Sequence, residues 1–297
     1  MRNSWLKYVN FFREKNPQLS YKESLNKAKE SYYKYKKQFK IKDLDRFLQG
    51  IDRIYWINLD RSLDRKKNME FFLKDLSISN ERIVASDGLN DPNILSNFVL
   101  KDGVTQKTNI YACMLSHLRT IQTFWESGLE TALILEDDTS LTFMKYWNDD
   151  IKTILSNAPQ NWEILMMSYS LGRRAPTDPL AKESERINEK DFIKQLYIPW
   201  KHGMVSAAAY IINRNGAEKI MKLYRNGMWY IDILPHVSDY IIYKLTNTYT
   251  YKYAYFTGLN ETSTLHTENL QRHINYTNFS KKMWIQKQKN DKEKICA

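Results

Sequence analysis

The sequence predicts an α/β protein with a mostly parallel sheet flanked by helices and an N-terminal helical extension. First, Arg53–Leu59 is a nearly continuous apolar run, as a strand buried on both faces requires. Second, strand-like and helix-like segments alternate from there on, which is the order of a parallel sheet. Third, 297 residues with 42% hydrophobic side chains can form one large domain plus an appendage.

The individual elements follow from apolar spacing and from turn and capping residues. Further strands are predicted at Arg82–Ala85, Ala132–Leu135, Glu163–Ser168 and Val205–Ile212. Helices are predicted around Met69–Leu76, Leu115–Trp125 and Ala217–Tyr224, the last with its N-cap at Asn215. The polar segment Gly172–Lys194 has no clear period and is predicted to be a loop.

The basic charge of the chain, +11, is concentrated at its two ends. Residues 1–42 carry a net +9 and residues 281–297 a net +4, which leaves −2 between them. Ser20–Glu23 is a capping box that opens a Lys/Tyr-rich helix. We therefore predict a basic helical extension over 1–48, a main domain over 49–280 and a basic tail over 281–297. Nucleic-acid contact is expected only through the N-terminal arm, which could equally be a solvated or packing helix.

Two cysteines, Cys113 and Cys296, are too few for a disulfide scaffold, and neither has the sequence spacing typical of metal-binding cysteines. The N-terminus lacks the apolar run of a signal peptide, and no stretch is long and apolar enough to span a membrane. A cytoplasmic protein is therefore expected. The Lys- and Asn-rich composition hints that a large virus encodes it.

Three carboxylates, Glu136, Asp137 and Asp138, directly follow the predicted strand Ala132–Leu135. Ligands of open α/β sheets bind beyond the carboxyl ends of the strands, and three adjacent carboxylates repel one another unless they share a cation. Their hard oxygen atoms suit Mg²⁺ or Mn²⁺. The alternative is a solvated loop or a helix cap.

A second polar turn, NLDRSLDR at residues 58–65, joins the first strand to its helix. Backbone N–H groups at the helix start and the guanidinium of Arg61 or Arg65 could receive phosphate oxygens. In the alternative interpretation, Ser62 is an ordinary N-cap and the two arginines are surface ion-pairing groups.

Five segments, in this order and at these separations, resemble glycosyltransferase family 25: IYWINLDRSLDRKKNM, ERIVASDG, YACMLSHLRTIQTFWESG, ALILEDD and AAAYIINRNGAEKIM. That family includes bacterial lipooligosaccharide galactosyltransferases and procollagen galactosyltransferases. The resemblance covers Ile54–Phe256, about two thirds of the chain. It implies a GT-A fold, a UDP-sugar donor, and Mn²⁺ or Mg²⁺.

The resemblance also implies roles for individual residues. Asp138 is the expected direct metal ligand, and Glu136 or Asp137 contacts the ribose or the metal. The residues expected to line the uridine and phosphates are Leu59, Asp60, Arg61 and Arg65. Asp87 and Gly88 are expected to close over the nucleoside. Ser116 and His117 are expected to lie near the donor.

Three later residues complete the predicted site. An inverting transfer needs a base near the acceptor hydroxyl, and Asp232 and Asp239 are the candidates, with Asp239 closer to the family's late acidic position. Each could instead cap a helix. His266 is the candidate for completing the metal shell from the C-terminal part, and the alternative is an exposed loop histidine.

The predicted function is transfer of a hexose from a UDP-sugar to a hydroxyl acceptor, with galactose the first choice and glucose the second. Hydroxylysine of a collagen-like protein and a surface glycan both stay open as acceptors. The competing hypothesis is a non-catalytic scaffold of this fold whose basic N-terminal arm binds nucleic acid.

Overall fold

A computed structural model describes residues 12–13, 16–20, 22–24, 26–28, 41–171, 195–200, 204–258 and 270–296. The chain divides into two compact units, Met1–Arg46 and Phe47–Ala297. The predicted loop Gly172–Lys194 lies outside the described residues.

The N-terminal unit contains the predicted capping box. The Ser20 N–H donates to Glu23 Oε2 at 2.9 Å, and the Glu23 N–H donates to Ser20 Oγ at 3.3 Å, so each side chain satisfies one N–H at the helix start. Residues 22–24 and 26–28 are helical, and helix α1 spans Ile41–Phe47. Nucleic-acid contact through residues 1–48 stays a prediction.

The second unit is built on a seven-stranded sheet with the order β2-β1-β4-β10-β6-β13-β8. Its strands are β1 (Arg53–Asn58), β2 (Asn80–Val84), β4 (Thr131–Glu136), β6 (Ile164–Met166), β8 (Tyr197–Pro199), β10 (Ala209–Asn213) and β13 (Thr248–Tyr251). Only β10 and β8 run against the other five strands. The predicted α/β class with a mostly parallel sheet is therefore confirmed, and it is compatible with a GT-A fold.

Helices and short strands surround this sheet. The helices are α2 (Leu63–Leu73), α3 (Thr108–Glu126), α4 (Ile151–Ser156), α5 (Arg214–Met221), α6 (Ser238–Leu245) and α7 (Leu270–Cys296). The short strands are β3 (Phe98–Leu100), β5 (Thr139–Ser140), β7 (Ser170–Leu171), β9 (Met204–Val205), β11 (Tyr224–Arg225), β12 (Met228–Ile231) and β14 (Thr257–Gly258). The apolar face of α3 packs on β1, α5 and α6. This helix is therefore held against one face of the sheet.

The structure corrects two details of the predicted segment that includes Val205–Ile212. The strand is interrupted at Ser206, whose φ of 113° lies in a region that L-residues rarely adopt, so β9 ends at Val205 and β10 begins at Ala209. The following helix is capped by Asn213 rather than Asn215, because Asn213 Oδ1 accepts the Gly216 N–H at 2.9 Å.

The C-terminal segment, expected to be a tail, lies within the 27-residue helix α7. Trp284 is fully buried, donates through Nε1 to the Ala254 carbonyl at 2.8 Å, and contacts the rings of Tyr253 and Tyr255. Lys287 pairs with Asp149 at 3.5 Å. Trp284 therefore attaches this helix to the main unit, a contact that the basic charge of the segment did not predict.

Candidate active site

The strands β1 and β4 end side by side. They are parallel neighbours with Ile57 opposite Glu136, so the residues that follow both strands meet at one edge of the sheet. The Glu136 N–H donates to the Ala208 carbonyl at 2.8 Å, which extends the pairing with β10 to the end of β4. The acidic run therefore begins at a fixed position on the rigid sheet.

Asp137 is engaged by its protein neighbours. Asn58 Nδ2 donates to Asp137 Oδ2 at 2.6 Å, and Arg65 Nη1 lies 3.2 Å from Asp137 Oδ1. Burial raises the pKa of Asp137, and the Arg65 charge and the Asn58 hydrogen bond oppose that change. Because each of its oxygens contacts a residue from β1 or from the helix that follows it, this carboxylate links the end of β1 to the turn after β4.

Asp138 differs from its neighbour because one of its oxygens is unpaired. The residue as a whole is half-buried, yet Oδ1 is shielded from solvent and has no hydrogen-bond partner among the residues that the structure describes. Burial, followed by the charges of Glu136 and Asp137, raises the pKa of Asp138 to about 7. A buried carboxylate oxygen without a donor fits a hard cation such as Mn²⁺ or Mg²⁺.

Glu136 is paired with a buried histidine. His117 Nε2 lies 3.1 Å from Glu136 Oε1, and His117 Nδ1 lies 3.2 Å from the Tyr210 hydroxyl. Burial lowers the pKa of His117, but Cys113 and Glu136 outweigh it and raise that pKa to about 10. His117 therefore contacts Glu136 directly, and Glu136 lies between this histidine and the rest of the acidic run.

The turn between β1 and α2 is held by Arg82, which the site prediction omitted. Arg82 Nε donates to Asn58 Oδ1 at 2.9 Å, and Arg82 Nη2 pairs with Asp60 at 2.6 Å. The predicted Asp60 is itself exposed, and Leu59 precedes it in the same turn. The feature that could have identified Arg82 is its position on β2, the strand that pairs with β1.

The two predicted phosphate-binding arginines are both paired with protein groups. Arg61 Nε donates to Asp87 Oδ2 at 2.8 Å, and Arg65 Nη2 donates to Ser62 Oγ at 3.0 Å in addition to its pair with Asp137. The Arg61 hydrogen bond is the main reason that the pKa of Asp87 is lowered. The structure thus brings Arg61 and Asp87 together, and their predicted role in nucleotide binding stays a prediction.

Ser116 and Gly88 join the Ser86–Gly88 loop to helix α3. Ser116 Oγ accepts the Ser86 N–H at 2.9 Å and donates to the Ala112 carbonyl at 2.7 Å. A Cβ added at Gly88 would lie 2.5 Å from Asn109 Cα. Both residues therefore have packing roles that position the loop, whether or not they also touch a nucleoside.

We expect Gly88→Ala to destabilise the fold by about 1 to 3 kcal/mol, because the methyl group meets backbone that must shift. The measurement is the free energy of unfolding in urea. Gly258→Ala is the matched control, since a Cβ there meets no atom of the described residues within 4 Å. Equal urea midpoints for the two variants would contradict this account of the loop.

Of the two candidate bases, Asp239 belongs to the acidic cluster. It lies in the first turn of α6, where its carboxylate accepts the Ser206 N–H at 3.1 Å and the Tyr240 N–H at 2.9 Å. Burial raises the pKa of Asp239; the Glu136 charge adds to this and the His117 charge opposes it. Asp232 is exposed on the connection after β12. His266 lies outside the described residues.

Cys113 was not predicted to belong to a metal site. Its Sγ, a His117 ring nitrogen and a Glu136 carboxylate oxygen nevertheless lie within 4.8 Å of one another. Cys113 and His117 are four residues apart on α3, so they share one helix face. That spacing is the signal in the sequence that pointed to the cluster.

Comparison with known proteins gives the family of this chain. Residues 51–235 match the profile described as "Glycosyltransferase family 25 (LPS biosynthesis protein)", which covers more than half of the chain and includes both β1 and the acidic run. The chain belongs to glycosyltransferase family 25. The predicted family is confirmed, and the reaction class that this membership supports is glycosyl transfer.

Solved structures resemble this family 25 member only distantly. "A197 from STIV" is 12% identical with a TM-score of 0.37, covering 70% of this chain and 84% of its own. Mouse xyloside xylosyltransferase 1 in its apo form is 10% identical with a TM-score of 0.25, covering 63% of this chain and 65% of its own. No curated protein is significantly similar in sequence. Within the described residues, no helix is long and apolar enough to cross a membrane.

Proposed function

We propose that this family 25 glycosyltransferase transfers a hexose from a UDP-sugar to a hydroxyl acceptor with inversion, galactose first and glucose second. The observation that carries the proposal is Oδ1 of Asp138, just after a buried strand, which is shielded from solvent and has no hydrogen-bond partner in the described part of the chain. An unpaired carboxylate oxygen beside two more carboxylates favours a bound cation. Hydroxylysine of a collagen-like protein and a surface glycan are the proposed acceptor classes.

Asp138 and Glu136 would hold the cation, with His266 proposed to complete its shell. Glu136 Oε1 is occupied by His117, which leaves the second oxygen of Glu136 for the cation or for a ribose hydroxyl. When bound there, Mn²⁺ or Mg²⁺ supplies positive charge against the charge that develops on departing UDP. His117 limits the negative charge of Glu136 and so adjusts how strongly Glu136 competes for a cation.

The diphosphate side is supported by the arginines of the β1–α2 turn. Arg61 and Arg65 already have carboxylate or hydroxyl partners, so a diphosphate would share or exchange those partners rather than meet free guanidinium groups. Two planar guanidinium groups at the start of α2 match the geometry of phosphate oxygens. Asp60, Leu59 and the Ser86–Gly88 loop are proposed to line the nucleoside.

Asp239 is the proposed base. Its raised pKa makes it a stronger proton acceptor than an exposed carboxylate. In a single displacement the acceptor oxygen bonds to the anomeric carbon, the bond from that carbon to UDP breaks, and the hydroxyl proton passes to Asp239. The two backbone N–H groups bonded to Asp239 hold its carboxylate in place during this transfer.

Metal removal tests the proposal directly. We expect chelator-treated protein to release UDP from UDP-galactose or UDP-glucose at least about 100-fold more slowly than the Mn²⁺-loaded protein, because the leaving diphosphate is no longer neutralised. The measurement is UDP release with and without added Mn²⁺. Full activity after chelation, or no turnover of any UDP-sugar at any metal concentration, would overturn the proposed function.

A further inference from the structure

The Cys113–His117–Glu136 cluster shares Glu136 with the acidic run Glu136–Asp138 but differs from it chemically. Cys113 and His117 project from one face of α3 toward the end of β4, where Glu136 lies. Their three ligand atoms are within 4.8 Å of one another, and His117 is 1% exposed. The cluster therefore combines a buried imidazole with a thiol and a carboxylate that are both partly exposed.

This combination of ligands selects a particular kind of ion. Thiolate and imidazole suit Zn²⁺ and other soft or borderline divalent ions, whereas Mg²⁺ and Mn²⁺ prefer oxygen. Tetrahedral zinc with bonds of roughly 2.0 to 2.3 Å places its ligand atoms roughly 3.5 Å apart. The observed spacing reaches that geometry with small side-chain adjustments.

The second ring nitrogen of His117 has a hydrogen-bond partner, as is usual for a metal-bound histidine. His117 Nδ1 lies 3.2 Å from the Tyr210 hydroxyl, so a hydrogen on Nδ1 can be donated to Tyr210 while Nε2 presents its lone pair toward Glu136. Metal-bound histidines almost always have such a partner on the second ring nitrogen. Ser238 Oγ lies 3.7 Å from Cys113 Sγ and can donate a hydrogen bond to the thiolate when the thiol loses its proton.

We propose that Cys113, His117 and Glu136 form a Zn²⁺ site that shares Glu136 with the cation position at Asp138, and that its occupation inhibits transfer by withdrawing Glu136 from that position. On binding, Zn²⁺ replaces the protons of the thiol and the imidazole, which pass to solvent. The inhibition rests on the proposed function. Zn²⁺ binding itself does not.

The test of binding uses Co²⁺ as a visible probe for Zn²⁺. Titration of the full-length, reduced protein with Co²⁺ is expected to give a thiolate-to-cobalt charge-transfer band that Zn²⁺ abolishes by competition. The band should disappear in Cys113→Ser and persist in Cys296→Ser, the matched control for the second thiol. Tyr210→Phe keeps all three ligands and should weaken Co²⁺ binding by about tenfold, through loss of the histidine's partner.

Absence of the band in the wild-type protein would overturn the site, as would a band that survives Cys113→Ser or vanishes in Cys296→Ser. Thermal unfolding of each variant shows whether it is folded. If Cys113→Ser does not fold, Tyr210→Phe decides instead, and unchanged Co²⁺ affinity in that variant overturns the site.

The test of inhibition compares each protein with its own rate in the absence of Zn²⁺. We expect Zn²⁺ to suppress Mn²⁺-dependent UDP release in the wild type, and Cys113→Ser to need at least about tenfold more Zn²⁺ for the same suppression. Equal sensitivity of the two proteins overturns the inhibition, whatever the cobalt result. If no UDP-sugar is turned over, the proposed function fails while the cobalt band still tests the site.

Discussion

Asp138→Asn is expected to lower the rate of UDP-sugar turnover by about 10³-fold and to stabilise the metal-free protein at the same time. The rate falls because an amide cannot supply the negative charge that holds the donor cation. Stability rises because a carboxylate with one shielded oxygen that has no partner among the described residues is replaced by a neutral group of the same shape. After allowance for partial exposure, the gain at neutral pH is of the order of 2 kcal/mol.

The pH dependence of the free energy of unfolding gives a second test of the contribution of Asp138. Its pKa in the folded protein is about 7, above the ordinary value of 3.8, so the folded state binds the proton more tightly than the unfolded state. The contribution of Asp138 to stability is therefore fully present at low pH and lost as pH rises from 3.8 to about 7. Asp138→Asn should flatten that part of the stability curve.

The measurements are UDP release, the free energy of unfolding across pH, and the shift of melting temperature on adding Mn²⁺. At a concentration 100-fold above its Kd, a specific ion stabilises the protein by about 2.7 kcal/mol, and Asp138→Asn should lose this gain. Asp75→Asn, a surface carboxylate, is the control. An Mn²⁺ shift that is equal in Asp138→Asn and wild type would exclude Asp138 as the ligand.

Asp239→Asn is expected to lower kcat by about 10²- to 10⁴-fold, because the acceptor hydroxyl loses its proton acceptor. The KM for the UDP-sugar should change little, since Asp239 is proposed to act on the acceptor and not to bind the donor. An amide oxygen can still accept one of the two backbone N–H groups, so the first turn of α6 is expected to remain folded.

The matched control is Asp232→Asn, which alters an exposed carboxylate seven residues earlier. Its kcat should stay within about twofold of the wild type, as is usual for surface substitutions that touch no functional group. Steady-state kinetics with donor and acceptor varied separately give both constants. Loss of kcat in Asp232→Asn, with Asp239→Asn active, would reverse the assignment of the base.

The parts of the fold that could be predicted are those encoded locally. The apolar run at Arg53–Leu59 and the acidic residues after Ala132–Leu135 identified β1, β4 and the site edge, because a buried strand and the turn that follows it are contiguous in sequence. Asp239 was preferred over Asp232 on the resemblance alone, and its burial agrees with that preference.

The parts that could not be predicted depend on long-range contacts. Nothing within AYIIN shows that β10 inserts between β4 and β6 in the opposite direction. Arg82 reaches Asn58 only after β2 has paired with β1, and Cys113 joins Glu136 only after α3 has packed on the sheet. These contacts join segments that are remote in the sequence, so local periodicity carries no information about them.

The C-terminal helix changes the sign of the net charge carried by the chain after residue 42. Taken without residues 281–297, the stretch after the N-terminal 42 residues has a net charge of −2, which would repel an anionic donor; with them it becomes +2. Because Trp284 fixes this helix to the main unit, the added charge cannot drift away as it would on a free chain end. An anionic donor, such as the proposed nucleotide-sugar, is therefore expected to be attracted to these residues at low ionic strength.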